Sequence, residues 1–352
     1  MKRNNLSKAR SQKMASQPVF QRLALHSAIA LAMIGGSYGR SAYAADCVSA
    51  IIAADCSGGL PLDFVNDGLV IEELAVTVVD AGLELNTTDA VALTLSNLGS
   101  GGLIFTDAFG STIIGTTGIY AYNSGTDLTI DATGSVTGGA DGIKANNDGA
   151  GVLSITVANV NGGADGDGIH AYNSGTDLII DATGSVTGGD DGIHAKNYGA
   201  GDLIITTHVG AVSQGLSSGP WGTLMSAGIY AVNHGANLTI MSSGDVAGYG
   251  YGISADNTGD GVLTITSGAE VVSTNYAGIK ATNNGSDLII NTTGTVSSGS
   301  VSTSAGIYTQ NHGEGMLQIT VADVSGGSAG FGIYANNSGT DLTIDATGAV
   351  TG

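Results

Sequence analysis

The stretch Gly118–Gly139, GIYAYNSGTDLTIDATGSVTGG, recurs almost unchanged at Gly168–Gly189 as GIHAYNSGTDLIIDATGSVTGG. A looser copy, GIKANNDGAGVLSITVANVNGG, lies between them at Gly142–Gly163. A Gly-Ile pair opens each copy, and successive pairs are 24, 26, 24, 36, 24, 26, 28 and 26 residues apart. The nine pairs begin at Gly118, Gly142, Gly168, Gly192, Gly228, Gly252, Gly278, Gly306 and Gly332. Self-similarity at such a period is typical of repeat architectures.

Each copy predicts three short strands separated by turns. Ile119 and Ala121 alternate with polar or aromatic residues, which is the pattern of a strand with one buried face. Asn123 and Gly125 follow, and because these residue types tolerate a left-handed backbone, they predict a turn. A second alternating pair and then a lone Val, as at Val136, predict the second and third strands.

Strands this short cannot bury their apolar faces within one copy, so the copies are expected to stack. Stacking at strand spacing places each Ile over the Ile of the next copy. The predicted fold class is all-β: a right-handed parallel β-helix with about 24–26 residues and three short strands per coil. The sixth residue of every copy is Asn, and stacked amides predict a structural ladder of side-chain hydrogen bonds along the turns. Its members are Asn123, Asn147, Asn173, Asn197, Asn233, Asn257, Asn283, Asn311 and Asn337.

The N-terminal residues 1–44 predict a secretory signal peptide. A basic segment without acids precedes the apolar run LALHSAIALAMI at Leu23–Ile34, and the small-x-small pattern Ala42-Tyr43-Ala44 follows it. These are the three parts of such a peptide, with cleavage expected after Ala44. The apolar run is too short for a membrane span.

Four regions are therefore expected: the signal peptide (1–44), an N-terminal cap (45–75), degenerate β-helix coils (76–117) and the nine-copy repeat (118–352). The cap contains the only two cysteines, Cys47 and Cys56. In an exported chain these are expected to form a disulfide. A cap is needed because the end of a solenoid otherwise presents an open edge.

The charge balance argues against nucleic acid as a partner. The formal net charge is −20, and it becomes −27 without residues 1–44, which hold seven of the ten basic residues and none of the 30 acidic ones. Binding to phosphates requires a basic patch. We interpret the charge as a solvated acidic surface that keeps the solenoid soluble.

A signal peptide, a Cys pair and Gly-, Asn- and Thr-rich coils such as GIYAYNSGTDLTIDATGSVTGG together resemble the passenger region of bacterial autotransporters, the type V secretion family. The resemblance implies export through the Sec route and then through an outer-membrane β-barrel translocator, with the passenger folding at the cell surface or outside the cell. Such a barrel is not recognisable in this sequence, which predicts a fragment. The function implied is that of a stalk or adhesin for attachment to cell surfaces or matrix.

Two alternatives remain open. A filamentous haemagglutinin-like exoprotein of two-partner secretion shares the solenoid, although its usual N-terminal secretion domain is not recognisable. A β-helical polysaccharide-active enzyme requires opposed carboxylates in a groove. The acidic pairs Asp165/Asp167 and Asp190/Asp191 lie in predicted turns, where Asp is common, and no nucleophile motif occurs. We therefore expect no enzymatic activity, catalytic residue or cofactor.

The third residue of each copy is expected to point outward, which predicts an aromatic and basic stripe. Its candidate members are Tyr120, Lys144, His170, His194, Tyr230, Lys280, Tyr308 and Tyr334, with Ser254 in the remaining copy. The stripe either has no binding role, since exposed aromatic residues are common on strands, or binds a glycan or protein of a host or bacterial surface. A metal shared by His170 and His194 is disfavoured, because the sequence shows no carboxylate partner at a fixed spacing from both.

Overall fold

The computed structural model describes residues 51–52, 62–66, 74–78, 84–213, 226–299 and 303–352. Within these ranges the strands pair in parallel and are joined by turns, and Ile51–Gly352 forms one unit. The unit is a parallel β-solenoid of about ten turns, which confirms the predicted parallel β-helix. No helix in the described ranges is long and apolar enough to cross a membrane.

The first strand of each coil belongs to an eleven-stranded sheet of the described chain. Consecutive strands pair in register, so Ile119 lies beside Ile143 and Ala121 beside Ala145. The strands are Leu62–Asn66, Leu93–Asn97, Ile119–Asn123, Ile143–Asn147, Ile169–Asn173, Ile193–Asn197, Ala227–Asn233, Tyr251–Asn257, Ile279–Asn283, Ile307–Asn311 and Ile333–Asn337.

A 21-stranded sheet contains the remaining strands. Leu128–Gly138 and Leu153–Asn161 each run through both the second and the third strand position of their coils. The other strands at the second position are Ile51–Ile52, Leu74–Val78, Leu103–Asp107, Leu178–Ala182, Leu203–Thr207, Leu238–Ser242, Leu263–Ser267, Leu288–Thr292, Leu317–Val321 and Leu342–Ala346. Those at the third position are Glu84–Asn86, Thr112–Gly115, Ser185–Gly188, Gly210–Ser213, Asp245–Gly248, Val271–Ser273, Val296–Ser297, Val324–Ser325 and Val350–Thr351.

The interior of the solenoid is aliphatic. In the coil that begins at Gly118, the inward side chains of Ile119, Ala121, Leu128 and Val136 are each at most 1% exposed. Buried and half-buried residues alternate along the first strand, as the sequence predicts. A Cβ added at Gly118 would lie 2.5 Å from Cγ1 of Val136. The Gly of the Gly-Ile pair therefore leaves room for the Val of its own coil.

The glycine two residues after the Asn is required for a reason other than the one predicted. Among the described residues only Gly110 and Gly210 have positive φ, at 78° and 131°. The backbone after Asn123 is therefore not left-handed, and that expectation is wrong. A Cβ added at Gly125 would instead overlap the carbonyl oxygen of Gly101 in the preceding coil, and the equivalent glycines of later coils meet the same obstacle. Close approach between coils excludes the side chain.

The Asn column forms a continuous hydrogen-bonded ladder. Each Nδ2 donates to the Oδ1 of the Asn in the next coil over 2.8–3.1 Å, from Asn97 through every predicted member to Asn337. The same amides bond to the turns: Asn97 Oδ1 accepts the N–H of Gly99, and Asn123 Nδ2 donates to the carbonyl of Thr126. Asn97 is not found by the Gly-Ile pattern, because its coil opens with Ala92-Leu93.

Pairing between strands of the solenoid begins within residues 45–75, the range predicted to form the N-terminal cap. Ile51–Ile52 pairs with Leu74–Val78, and Leu62–Asn66 pairs with Leu93–Asn97. Residue 75 therefore does not mark the start of the solenoid strands. The 36-residue interval does not interrupt stacking either, since Ile193 pairs with Ile229.

Several predicted features lie outside the described residues. They are the signal peptide (1–44), its cleavage site after Ala44 and the pairing of Cys47 with Cys56.

Candidate functional site

The third residue of each copy lies on the first strand and faces outward, and these residues lie side by side along the solenoid. Their register runs Tyr120, Lys144, His170, His194, Tyr230, Ser254, Lys280, Tyr308, Tyr334, and we call this row the surface stripe. All are half-buried except Ser254, which is 7% exposed. The stripe is therefore continuous in space, with Ser254 dividing its two aromatic parts.

Two pairs of neighbouring rings in the surface stripe stack face to face, whereas His194 and Tyr230 are tilted by 40°. The ring centroids of Tyr308 and Tyr334 are 4.8 Å apart with an interplanar angle of 7°. His170 and His194 are likewise 4.8 Å apart, with an angle of 3°. This separation equals the usual spacing of paired strands, so the ladder itself holds the rings in contact.

A lysine on the same sheet lies between two tyrosines. Lys196 Nζ is 5.5 Å from the ring centroid of Tyr172 and 5.4 Å from that of Tyr230. These distances are within the range of cation–π attraction. Burial raises the pKa of Tyr230, and the neighbouring Lys196 ammonium opposes that rise. Tyr172 occupies the same position as Lys196 in the preceding coil, so the repeat places these two side by side. Tyr230 belongs to the neighbouring column, and the repeat does not indicate its contact with Lys196.

A cleft of about 360 Å³ opens at the surface stripe beside Lys280 and Tyr308. Tyr251, Tyr276 and Gln310 also line it. The rings of Tyr251 and Tyr276 are 5.4 Å apart, and Lys280 Nζ lies 5.4 Å from the Tyr251 ring. Burial raises the pKa of Tyr251. Aromatic faces with a few polar groups suit a flat ligand that carries hydroxyl groups.

Three aspartates stand beside the Lys and His part of the surface stripe. Each precedes a stripe residue by three positions in the motif Asp-Gly-Ile-Lys or Asp-Gly-Ile-His, and its Oδ2 faces that residue. The contacts are Asp141 with Lys144 Nζ (3.8 Å), Asp167 with His170 Nδ1 (2.6 Å) and Asp191 with His194 Nδ1 (2.8 Å).

The second oxygen of each carboxylate is held by the next coil. Asp141 Oδ1 accepts the backbone N–H of Asp167 at 3.0 Å, and Asp167 Oδ1 accepts that of Asp191 at 2.9 Å. Asp191 Oδ1 accepts the N–H of Ala227 at 2.6 Å. The carboxylates therefore form a column with fixed orientations, bonded to the backbone on one side and to the stripe on the other.

This column corrects two expectations. His170 and His194 do have a carboxylate partner, because Asp167 Oδ2 lies 2.6 Å from His170 Nδ1 and 3.8 Å from His194 Nδ1. Asp167 and Asp191 are also not ordinary surface residues of turns, since each is only 5% exposed. Among the four acids, Asp165 is exposed and Asp190 is half-buried. The three-residue spacing in Asp-Gly-Ile-His is the signal that could have found the pairing.

Negative charge is concentrated around these groups. Burial raises the pKa of Asp190 from 3.8 to about 6, and the carboxylates of Asp191 and Asp167 add to the rise while His194 opposes it. Burial also raises the pKa of Asp191, although its hydrogen bond with His194 acts in the opposite direction. The carboxylates of Asp141, Asp167 and Asp191 follow one another from coil to coil.

Comparison of the chain with protein-family models, curated proteins and solved structures finds no match.

Proposed function

We propose that this chain is an exported surface protein, the β-helical passenger of an autotransporter, and that it acts as a stalk or adhesin by binding glycan. The observation that carries the binding role is the tyrosine-lined cleft at Lys280 and Tyr308. Export is supported by the signal-like residues 1–44, and the passenger role by the parallel solenoid. The outer-membrane translocator is the partner that this proposal requires for secretion.

The cleft favours a neutral sugar chain as ligand. Tyr251, Tyr276 and Tyr308 supply aromatic faces, on which the apolar face of a hexose ring stacks. Lys280 and Gln310 supply hydrogen-bond donors for hydroxyl groups. A strongly anionic polymer is disfavoured, because a chain with 30 acidic residues repels it.

The stripe extends this surface beyond the cleft. Tyr308 lines the cleft and also stacks on Tyr334 in the next coil. A linear oligosaccharide lying along the solenoid therefore meets the ring edges and hydroxyl groups of Tyr308 and Tyr334 in adjacent coils, because the facing sides of the two rings are stacked on each other. Each ring contributes a modest free energy, so affinity for the polymer comes from several contacts.

The test measures binding of the exported, processed chain to immobilised neutral hexose oligosaccharides. The wild type is expected to bind, and the double variant Tyr251→Ser/Tyr308→Ser to bind at least about tenfold more weakly, since one aromatic contact is worth roughly 0.5–1.5 kcal/mol. Tyr334→Ser should show a smaller loss. The processed chain is expected to begin at Ala45.

Tyr198→Ser is the matched control, because Tyr198 is 54% exposed and lies outside the cleft. It should bind like the wild type, and all variants should keep the circular dichroism spectrum of the wild type. Absence of binding to every neutral oligosaccharide, or equal binding by the double variant and the control, would refute the proposed glycan role.

A further inference from the structure

The histidine pair of the surface stripe and the aspartate beside it form a cluster that the adhesin proposal does not use. One donor atom from each of Asp167, His170 and His194 lies within 4.8 Å of the other two. Asp167 and His170 come from one coil and His194 from the next, where it pairs with His170 across the strands. We propose that these three residues bind one divalent transition-metal ion of the Zn²⁺ class and so connect two adjacent coils.

The donor set defines the class of ion. Two imidazoles and one carboxylate suit Zn²⁺ and its neighbours Co²⁺, Ni²⁺ and Cu²⁺, whereas Ca²⁺ and Mg²⁺ prefer sets made entirely of oxygen. Three protein ligands leave a fourth position for water in a tetrahedral site. Lys144 precedes the pair in the stripe and Tyr230 follows it, so the repeat offers this donor set only once within the described chain.

The ligands are oriented before any ion binds. Asp167 Oδ1 is occupied by the backbone N–H of Asp191, which leaves Oδ2 directed at the imidazoles. The two rings are held parallel by the ladder, and Asp191 Oδ2 fixes the His194 ring through Nδ1. Partners of this kind set the orientation of metal-binding histidines and raise affinity.

Two further observations point to a ligand here. His194 Nε2 is buried and has no hydrogen-bond partner among the described residues, so part of the bonding capacity of that ring is unused. The carboxylates of Asp167 and Asp191 are both buried, and the side chains that face their Oδ2 atoms are the two imidazoles. The imidazoles remain 17–18% exposed, which leaves a path for an ion from solvent.

Binding requires a contraction of the cluster. Two ligands of one tetrahedral Zn²⁺ lie about 3.3–3.4 Å apart, because each bond is about 2.0–2.1 Å long and the bonds meet at about 109°. Donors separated by up to 4.8 Å must therefore draw together. The side chains of His170 and His194 can do this by rotating, while the strands stay in register. Where His194 binds through Nδ1, the metal replaces its hydrogen bond with Asp191.

The test is a calorimetric titration of ZnCl₂ into the full exported chain, prepared without a histidine tag and treated with a chelator. The wild type is expected to bind one Zn²⁺ per chain, and Co²⁺ in its place should give the visible absorption of a tetrahedral site. His170→Phe and His194→Phe keep a stacked ring but remove a donor. Asp167→Asn keeps the oxygen that accepts the N–H of Asp191 and removes the charge.

Each of the three variants should weaken Zn²⁺ binding by at least about 100-fold. Loss of a residue that only hydrogen-bonds to a metal ligand already lowers metal affinity by about 10–100-fold. His208→Phe is the matched control, because His208 Nε2 lies 3.0 Å from Asp181 in an exposed His–Asp pair without a second imidazole. It should bind Zn²⁺ like the wild type, and circular dichroism should show all four variants folded. No stoichiometric Zn²⁺ binding by the wild type, or undiminished binding by folded His170→Phe and His194→Phe, would overturn the proposal.

Discussion

At the scale of the residue, the glycines show how contact between coils selects side chains. The turn after each Asn brings its backbone against the carbonyl oxygen of the preceding coil, as at Gly175 over Gly151. The backbone there has ordinary φ, so conformational freedom does not explain the residue. Only the absence of a Cβ lets the coils approach to hydrogen-bonding distance.

Gly175→Ala should therefore destabilise the solenoid by about 1–3 kcal/mol, the usual range for forced overpacking. Gly268→Ala is the control, because a Cβ at Gly268 would meet nothing closer than 3.7 Å. That substitution should leave the free energy of unfolding unchanged or raise it slightly, because Ala gives the unfolded chain less conformational entropy than Gly does. Urea unfolding of both variants, followed by circular dichroism, measures the difference, and equal midpoints would contradict the contact argument.

Asp190 makes stability depend on pH in a direction set by its raised pKa. The pKa rises from 3.8 to about 6 in the folded chain, so between these values the folded state binds more protons than the unfolded state. The contribution of Asp190 to stability is complete below pH 3.8 and is lost as the pH rises through 6. Asp190→Asn should abolish this loss.

The measurement is the free energy of unfolding of wild type and Asp190→Asn between pH 3.5 and 7.5, in the presence of a chelator. The difference between the two proteins should be small at the acid end and should grow in favour of the variant as the pH rises. Other titrations common to both proteins cancel in the difference. A difference that is independent of pH would mean that burial does not perturb Asp190.

At the scale of the element, the first strand combines three functions in five residues. In Ile143–Asn147 the inward Ile143 and Ala145 fill the core, the outward Lys144 belongs to the surface stripe, and Asn147 enters the amide ladder. Alternation of the pleat separates core from surface, and the end of the strand directs the amide into the turn. The same strand thus contributes to the core, the surface stripe and the Asn ladder through different residues.

Asn147→Ala should destabilise the solenoid by about 2–4 kcal/mol, because it leaves buried hydrogen-bonding groups of Asn123 and Asn173 without their partner. Asn146→Ala is the matched control, since Asn146 is the half-buried, outward neighbour on the same strand. Its effect should stay within about 0.5 kcal/mol. Denaturant unfolding compares the two variants, and a similar cost for both would show that the ladder adds no stability.

At the scale of the whole molecule, stability comes from contacts between neighbouring coils. Each coil pairs with the coils before and after it, so a local change acts mainly on two interfaces. The described surface has two groups of side chains with different chemical character: the Asp–His cluster around Asp167 and the tyrosine cleft around Tyr251. They lie two coils apart, since one strand, Ala227–Asn233, stands between that of His194 and that of Tyr251. At about 10 Å and without shared residues, variants in one should leave the other unchanged.

The sequence by itself determined the parallel solenoid, the inward Ile and Ala columns, the Asn ladder and the outward stripe. These follow from the period of the repeat, because stacked identical strands place equal positions side by side. Export and the Cys47–Cys56 pair remain predictions from the sequence.

Only the tertiary structure decided what the stripe contacts. The cleft joins Tyr251 at the start of one strand to Tyr276 in a turn of the next coil, and residue spacing does not indicate that approach. Asp167 meets both histidines because the turn at Gly168 directs its carboxylate along the strand edge, toward its own coil and the next. The reason for Gly125 likewise lies in the neighbouring coil. Periodicity specifies which residues share a column, whereas contacts between different columns depend on the path of the turns.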